Sequence, residues 1–251
     1  MRLRRLELNG GRVQNDPFWS LILPPTSKGY ADAQIDDYGL VGNGRDHYPW
    51  LPGTLLHLRA RFSHSADQLQ GTAGFGFWNA PFGDPTVRRP ALPQACWFFF
   101  ASEPSDLPLA LAGPGRGWFV ATLDATRCQA LALIPLAPAI LLMNQIGRLR
   151  RKIWPAVRRR LMISYAPIPI SMQEWHEYAL HWRVDGCSFL VDGAPVLNTP
   201  YSPAGPLGFV CWVDNQYMVA TTKGRFRWGF LPTTGEQRLE VDGLSITQDQ
   251  E

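Results

Sequence analysis

The most unusual polar cluster of the sequence is WVDNQY at residues 212–217, which ends an apolar run that begins at Leu207. A carboxylate, two amides and a phenol beside an indole ring can bind a ligand or exchange a proton with it. The alternative is a turn in which Asp214 or Asn215 accepts hydrogen bonds from backbone N–H groups. We predict Asp214 as the first catalytic acid, with ligand contacts from Trp212, Asn215 and Tyr217.

Two further carboxylates are candidate acids, at Asp37 and Glu103. Asp37 belongs to QIDDY at residues 34–38. Adjacent residues on a strand point to opposite faces, so only one of these two aspartates can enter a cleft. Burial there would raise the pKa of the carboxyl group and make it a general acid, whereas the alternative is an exposed turn.

Three more residues are candidate ligand contacts. Trp78 ends the glycine-rich segment AGFGFW, and Asn79 follows it. The side chains missing from such a strand let another group pack closely on one face. His47 lies in the polar segment RDHY and is a candidate base or ligand contact. A core role for Trp78 and a solvated loop for His47 are the alternatives.

Several chemistries lack their motifs in this sequence. It has no G-x-S-x-G, no phosphate-binding glycine loop and no H-E-x-x-H. The four cysteines form no CxxC pair, so we predict no metal site from their spacing and four reduced thiols rather than a disulfide framework. The basic start of the chain lacks the apolar run of a signal peptide, and we therefore expect a cytoplasmic protein.

The elements that must position these residues are short strands. The chain has 251 residues with 10 Trp, 23 Gly and 22 Pro, which favours strands joined by turns over a helical bundle. Two Asp-Gly pairs, at 185–186 and 192–193, flank a short apolar run and predict two hairpins. We predict a single β-sandwich or barrel domain over residues 1–251, with strands at 55–62, 73–78, 96–101, 178–184, 187–191, 207–213, 224–230 and 239–246.

A segment at about 130–162 breaks the strand pattern. Apolar residues recur at helical spacing from Leu142 to Leu161, and Pro155 predicts a kink or a second helix start. Pro135 and Pro138 disfavour a regular helix through the apolar stretch before it. Residues 128–163 carry seven cations and no carboxylate, and the rest of the chain has 17 Lys+Arg against 21 Asp+Glu. We therefore predict a basic amphipathic helical insertion.

This insertion has three interpretations: a membrane-surface helix, a helix with a solvated basic face, and a nucleic-acid patch. We favour a membrane surface with anionic lipids, on the inner face of a membrane, because the adjoining apolar stretch is too short to span a bilayer. No nucleic acid is predicted as a partner. The predicted membrane contacts are Arg148, Arg150, Arg151, Lys152, Trp154, Arg158, Arg159 and Arg160.

The segment WHEYALHW at residues 175–182, followed by FLVDG at 189–193, resembles the family 16 glycoside hydrolases. In that family a W-H-x-Y-x-x-x-W strand precedes a strand that ends in V-D-G. The resemblance implies an all-β fold, the concanavalin A-like jelly-roll sandwich of two antiparallel sheets with a ligand cleft on the concave face. It also allows a structural calcium ion at backbone carbonyls and Asp242, and we predict no other cofactor. These matched positions are structural in the family, so they indicate the fold more than an activity.

The family's catalytic signature, E-x-D-x-x-E or one residue shorter, is missing. Its counterpart here, PQACWFFFAS at residues 93–102, contains no carboxylate. Retaining hydrolysis needs two carboxyl groups about 5 Å apart. We therefore expect acid/base isomerisation, cyclisation or hydration of an apolar or amphiphilic, lipid- or isoprenoid-like substrate. The alternative is a non-catalytic, lectin-like module that binds a glycan or glycolipid.

Overall fold

The computed structural model describes residues 2–42, 44–82, 84, 86–87, 89–110 and 113–248. Within these ranges the chain is built mainly of short strands, with three α-helices in one segment and a 3₁₀ turn at Arg45–His47. The strands are β1 Arg4–Leu8, β2 Arg12–Asn15, β3 Trp19–Leu23, β4 Asp32–Asp36, β5 Thr54–Phe62, β6 Thr72–Trp78, β7 Gln94–Ala101, β8 Gly117–Asp124, β9 Ser164–Pro167, β10 His176–Arg183, β11 Gly186–Val191, β12 Ala194–Thr199, β13 Gly208–Asp214, β14 Gln216–Ala220, β15 Phe226–Phe230 and β16 Gln237–Gln248. The helices are α1 Cys128–Leu131, α2 Ala137–Met143 and α3 Gly147–Arg160.

Two antiparallel sheets of seven strands form the sandwich. The front sheet has the order β1-β4-β13-β6-β7-β8-β9, and the back sheet has the order β12-β11-β10-β5-β16-β3-β2. Strands β14 and β15 pair only with each other among the described strands and form a separate hairpin. This architecture confirms the predicted all-β jelly-roll sandwich.

Strand β7 shows how the sequence builds the two faces of the front sheet. Cys96, Phe98 and Phe100 point into the core between the sheets, while Trp97 and Phe99 pack on the outer face. Every residue of the strand is buried, as its continuous apolar run predicts. Full burial of each large side chain contributes roughly 1.5–3 kcal/mol, so both layers stabilise the fold.

The segment that resembles the glycoside hydrolases lies in the back sheet and supplies core residues. Tyr178 and Trp182 of β10 are buried between the sheets, and the Trp182 Nε1–H donates to Ser202 Oγ over 3.1 Å. The two predicted hairpins join β10 to β11 and β11 to β12. Asp192 and Gly193 adopt φ values of 49° and 75° in the second turn, as a tight hairpin turn requires.

The predicted helical insertion is present, but it consists of three helices in place of one kinked helix. The apolar stretch that we expected to be irregular contains α2, with Pro138 in its first turn. A proline is tolerated there because the first N–H groups of a helix have no partner within the helix. Pro155 lies inside α3 without ending it, while the buried Val157 anchors the following turn.

Candidate functional site

A cavity of about 400 Å³ lies on the outer face of the front sheet. Its floor is aromatic: the rings of Trp97 and Phe99 of β7 lie 6.0 and 5.3 Å from that of Trp212 of β13, and 4.8 Å from each other, between centroids. Trp78 of β6 adds a fourth ring, parallel to Trp212 at 6.5 Å. Apolar side chains from the loop after β7, from β14 and from the segment after α3 complete the wall, among them Leu107, Leu109, Leu161, Ile163 and Met218. This is a site for an apolar ligand.

Gly74 and Gly76 of β6 make room for this aromatic floor. A Cβ atom on Gly74 would lie 3.1 Å from Cη2 of Trp212 and 2.2 Å from the carbonyl oxygen of Phe98. A Cβ atom on Gly76 would lie 2.6 Å from Cα of Trp97. The groups that pack closely on the glycine-rich strand are therefore the backbone of β7 and the indole ring of Trp212.

Asp214 is buried at the end of β13 and lines the cavity. Its Oδ1 accepts hydrogen bonds from the backbone N–H and hydroxyl of Thr72, at 3.1 and 2.8 Å, and from the Gln216 N–H at 3.0 Å. Its Oδ2 accepts one from the Tyr30 hydroxyl at 3.2 Å. Burial outweighs these bonds and raises the pKa of Asp214 to about 6. The predicted first acid thus lies where a ligand can reach it.

A second buried carboxyl group lies beside Asp214. Asp32 of β4 is directly opposite Asp214 in the antiparallel pair of β13 and β4, so both side chains leave the same face of the sheet. Oδ1 of Asp32 has no hydrogen-bond partner among the described residues. Burial, together with the charge of Asp214, raises the pKa of Asp32 well above its usual range. Because each charge is desolvated and repels the other, the pair disfavours ionisation of both carboxyl groups at once.

The cavity-facing side of β4 continues this polar strip. Gln34 lines the cavity and donates to Asp36 Oδ2 at 2.6 Å. Arg4 of β1 bridges Asp36 and Asp84, with N–O distances of 2.8 and 2.7 Å. The alternation of polar Asp32, Gln34 and Asp36 with apolar residues is the signal that the sequence analysis missed, because i, i+2 and i+4 share one face of a strand.

The other two candidate acids lie outside the cavity. Asp37 is buried, but its Oδ1 accepts from the Phe209 N–H at 2.9 Å and its Oδ2 from the Trp50 Nε1–H at 2.6 Å. Burial raises the pKa of Asp37 to about 7, yet the group anchors two backbone segments. Glu103 is 75% exposed and pairs with Arg116 at 2.8 Å. Both expectations are therefore corrected: neither carboxyl group borders the ligand space.

The two predicted asparagine contacts are structural. Asn215 accepts from the Ala31 N–H at 2.9 Å and donates to the carbonyl oxygens of Gly29 and Leu231. Asn79 pairs with the Gln94 N–H at 3.0 Å and with the Leu92 carbonyl oxygen at 2.9 Å. Their amides tie loops to strands, which satisfies buried backbone groups and leaves none of the amide atoms for a ligand.

Two further predicted contacts also lie outside the cavity, whereas Trp78 and Trp212 line it. Tyr217 alternates with the cavity-lining Gln216 and Met218 of β14, so its ring leaves the other face of the hairpin and packs by Gly229. His47 is exposed in the 3₁₀ turn. In contrast, Trp78 donates from Nε1 to the Tyr38 hydroxyl, and Trp212 donates to Thr72 Oγ1 at 3.0 Å.

The basic residues of the insertion are mostly exposed, with one exception. Arg158 is only 8% exposed, and its Nε has no partner among the described residues. It therefore does not belong to the predicted membrane-binding set, because its side chain is buried. Arg150 and Trp154 are half-buried, and the exposed members are Arg148, Arg151, Lys152, Arg159 and Arg160.

The described helices are all too short, or too polar, to cross a bilayer. In the same part of the chain, no three Asp, Glu, His or Cys side chains cluster as metal ligands do. Asp242, the side chain expected at a calcium site, lies 3.6 Å from Arg59 and accepts a hydrogen bond from the Gly243 N–H at 2.8 Å. A structural calcium ion stays a prediction.

No protein-family model matches the sequence, and no curated protein matches it. Similar solved structures include an endo-β-1,4-glucuronan lyase from the fungus Trichoderma reesei, at 11% identity and TM-score 0.47, over 99% of this chain and 88% of that one. A glycoside hydrolase family protein from Mycobacterium thermorestibile has 14% identity and TM-score 0.47, over 94% and 79%. The Emp47p carbohydrate recognition domain has 7% identity and TM-score 0.49, over 99% and 89%. With TM-scores below 0.5, these likenesses carry no argument about ligand or activity.

Proposed function

We propose that this protein is an acid/base enzyme that isomerises, cyclises or hydrates an apolar or amphiphilic substrate, of lipid or isoprenoid type, held in the aromatic cavity. One observation carries this function: a buried carboxyl group with a raised pKa, Asp214, borders a ligand space whose other walls are largely apolar. A low-dielectric site favours the protonated form of such an acid and strengthens its effect on a bound substrate.

The chemistry begins when the Asp214 carboxyl group transfers its proton to a carbon–carbon double bond of the substrate. A C–H bond forms, and positive charge develops on the neighbouring carbon. The π faces of Trp212 and Trp97 stabilise that charge, because an aromatic ring is negative over its face. Loss of a proton from an adjacent carbon returns the proton to Asp214 and gives an isomer. Alternatively, a second double bond attacks the cation and closes a ring, or water attacks it and forms a C–O bond. The cyclised cation or the oxonium ion then returns a proton to Asp214 and gives the cyclised or hydrated product.

Asp32 and Tyr30 position the acid in this scheme. Tyr30 donates to the Oδ2 of Asp214 and so orients the carboxyl group at the cavity wall. Asp32 lies opposite Asp214 on the neighbouring strand and does not line the cavity, and its Oδ1 has no hydrogen-bond partner among the described residues. Burial and the charge of Asp214 raise the pKa of Asp32, which favours its neutral form and disfavours two charges side by side in this buried site.

The arrangement disfavours glycoside hydrolysis. The two carboxyl groups near the cavity are directly opposite each other on adjacent strands, and only Asp214 reaches the ligand space. Retaining and inverting glycosidases place two carboxyl groups on either side of the scissile bond. Strand β7, which corresponds to the strand carrying those groups in the family 16 enzymes, offers only Gln94 as a polar lining residue besides its rings and alanines.

The membrane contact of the insertion belongs to the same proposed function. Leu142 and Ile146 are 72% and 56% exposed, and the exposed cations of α3 follow them in the chain. Apolar side chains beside cations suit the interface of an anionic membrane. An apolar substrate dissolved in such a membrane would then be close to the cavity.

Binding of chemically distinct probes tests the function. We expect the isoprenoid alcohol farnesol to quench the tryptophan fluorescence of the cavity saturably, and the glucan oligosaccharide laminarihexaose to leave it unchanged. Asp214→Asn should bind farnesol within about twofold of wild type, because the amide preserves the volume and most hydrogen bonds of the site. Saturable binding of laminarihexaose without binding of farnesol would overturn the proposed substrate class in favour of a lectin-like module.

A further inference from the structure

The β14–β15 hairpin exposes aromatic side chains that the sandwich does not cover. Phe226, Trp228 and Phe230 alternate along β15, and they are 62%, 57% and 39% exposed. Residues 216–231 also carry three cations and no carboxylate: Lys223, Arg225 and Arg227. A two-stranded hairpin normally needs to bury an apolar face to be stable. Here Phe226 and Trp228 of that face remain more than half exposed.

The turn of this hairpin is hydrogen-bonded to the helical insertion and packs against it. The side-chain amide of Asn144 donates to the Thr222 carbonyl oxygen, and that of Gln145 donates to the Lys223 carbonyl oxygen, both at 2.9 Å. Leu141 of α2 packs over Gly224, where an added Cβ atom would lie 3.3 Å from its Cδ2. The exposed leucines of the insertion and the exposed rings of the hairpin are therefore parts of one connected surface.

This connection crosses the cavity. The insertion follows β8, the hairpin follows β13, and strands β6 and β7 lie between them in the front sheet. Phe226 lines the cavity and is also largely exposed, so the ligand space borders this surface. At the far end of β15, Phe230 packs against Tyr30 with ring centroids 5.3 Å apart, next to the acid.

We propose that the β14–β15 hairpin and the insertion together form one docking rim for an anionic lipid bilayer, with the cavity mouth facing the lipid. The charge of the hairpin selects this occupant, because residues 216–231 carry Lys223, Arg225 and Arg227 and no carboxylate. Tryptophan is enriched at the membrane interface, where its apolar body and polar N–H are both satisfied. Docking of the hairpin relies on the proposed membrane contact of the insertion but not on proton transfer at Asp214.

Flotation of the full chain with phosphatidylcholine vesicles, with and without 30 mol% phosphatidylserine (roughly the anionic content of a charged leaflet), tests the rim. We expect wild type to float with the anionic vesicles, Trp228→Ser to bind them about tenfold more weakly, and Arg225→Gln/Arg227→Gln to lose the dependence on phosphatidylserine. Val184→Ser is the matched control: Val184 is 80% exposed in the turn between β10 and β11 and should float like wild type.

The outcomes distinguish membrane docking as a whole, the role of the hairpin, and ligand binding in the cavity. Absence of wild-type flotation would overturn membrane docking as a whole. Flotation of Trp228→Ser and of the double arginine variant at the wild-type level would overturn the role of the hairpin, as expected if its rings serve a protein partner. Farnesol binding, measured without vesicles on the same variants, should be unchanged, since neither Trp228 nor these arginines line the cavity. It reports on the cavity alone.

Discussion

Asp214 and Asp32 are directly opposite each other in the antiparallel β13–β4 pair, and both are buried. The Tyr30 hydroxyl donates a hydrogen bond to Oδ2 of Asp214. A pair of this kind is costly to ionise fully, because each charge is desolvated and repels the other. Only Asp214 also reaches the cavity. Because of this asymmetry, we assign proton exchange with the substrate to Asp214 and a positioning role to Asp32.

The rate of the proposed reaction should depend on pH through Asp214. The proton donor must be protonated, and burial raises the pKa of Asp214 to about 6. We therefore expect kcat/KM to fall by about tenfold for each pH unit above that value and to level off below it. A pH profile of product formation on the identified substrate checks this. A rate that rises from pH 6 to pH 8 would assign Asp214 as a base.

Folding stability should decrease with pH because of Asp37. The pKa of this carboxyl group is raised from 3.8 to about 7 by burial, so the folded state binds its proton more tightly than the unfolded state does. The free energy of unfolding therefore falls as the pH rises from about 4 to about 7, by up to about 4 kcal/mol from this group. Asp37→Asn should reduce the slope measured by urea unfolding between these pH values, and Asp214 and Asp32, whose pKa values are also raised, should account for what remains.

The control for this measurement is Asp185→Asn. The Asp185 side chain is 84% exposed, so its replacement should leave the slope of stability against pH unchanged. If Asp37→Asn and wild type gave parallel curves, burial of Asp37 would not be the source of the pH dependence.

The aromatic floor should depend on glycine at position 76. Its φ of 147° is unfavourable for other residues, and a Cβ atom would lie 2.6 Å from the Cys96 carbonyl oxygen. We expect Gly76→Ala to lower the free energy of unfolding by about 2 kcal/mol and to weaken farnesol binding, because β7 and Trp97 must move. Gly235→Ala, where the Cβ atom meets open space, should change neither quantity. Equal stability of the two variants would mean that β7 does not pack tightly on β6.

Arg4 should contribute more to the free energy of unfolding than an ordinary surface arginine does. It neutralises two carboxylates, Asp36 and Asp84, whose side chains are 0% and 6% exposed. Removing Arg4 takes the paired cation from Asp36 and from Asp84. We expect Arg4→Met to lower the free energy of unfolding, measured with urea, by about 3 kcal/mol. Arg12→Met is the matched variant, since the Arg12–Glu236 pair is largely exposed and should cost less than about 1 kcal/mol. Similar losses in both variants would count against a buried ion network.

Much of the fold could be predicted because its signals are local. The Asp-Gly pairs at 185–186 and 192–193 specify their own turns, and the apolar run of β7 has to be buried on both faces. The prolines of the insertion were harder to interpret, because a proline ends a helix or starts one depending on its position within the turn. Pro138 does the latter in α2.

The site was only partly predictable, because it depends on strand register. Asp214 and its neighbour Trp212 could be identified from the sequence, but the carboxyl group opposite Asp214 comes from Asp32, 182 positions earlier in the numbering, through the β13–β4 pairing. The local sequence around Asn215, with Trp212 nearby, is the same whether the asparagine binds a ligand or hydrogen-bonds to the backbone of a loop. The hydrogen bonds of Asn215 settle this in favour of the loop.

Mass spectrometry of the organic extract of purified protein tests the acid role of Asp214 most directly. Wild type, Asp214→Asn and Glu103→Gln would be produced in the same host, with Glu103 as an exposed carboxylate outside the cavity. We predict an apolar compound in all three extracts. An isomerised, cyclised or hydrated product of it should accompany wild type and Glu103→Gln and fall at least about 100-fold in Asp214→Asn. The same product at the same level in Asp214→Asn would contradict a catalytic role for this residue.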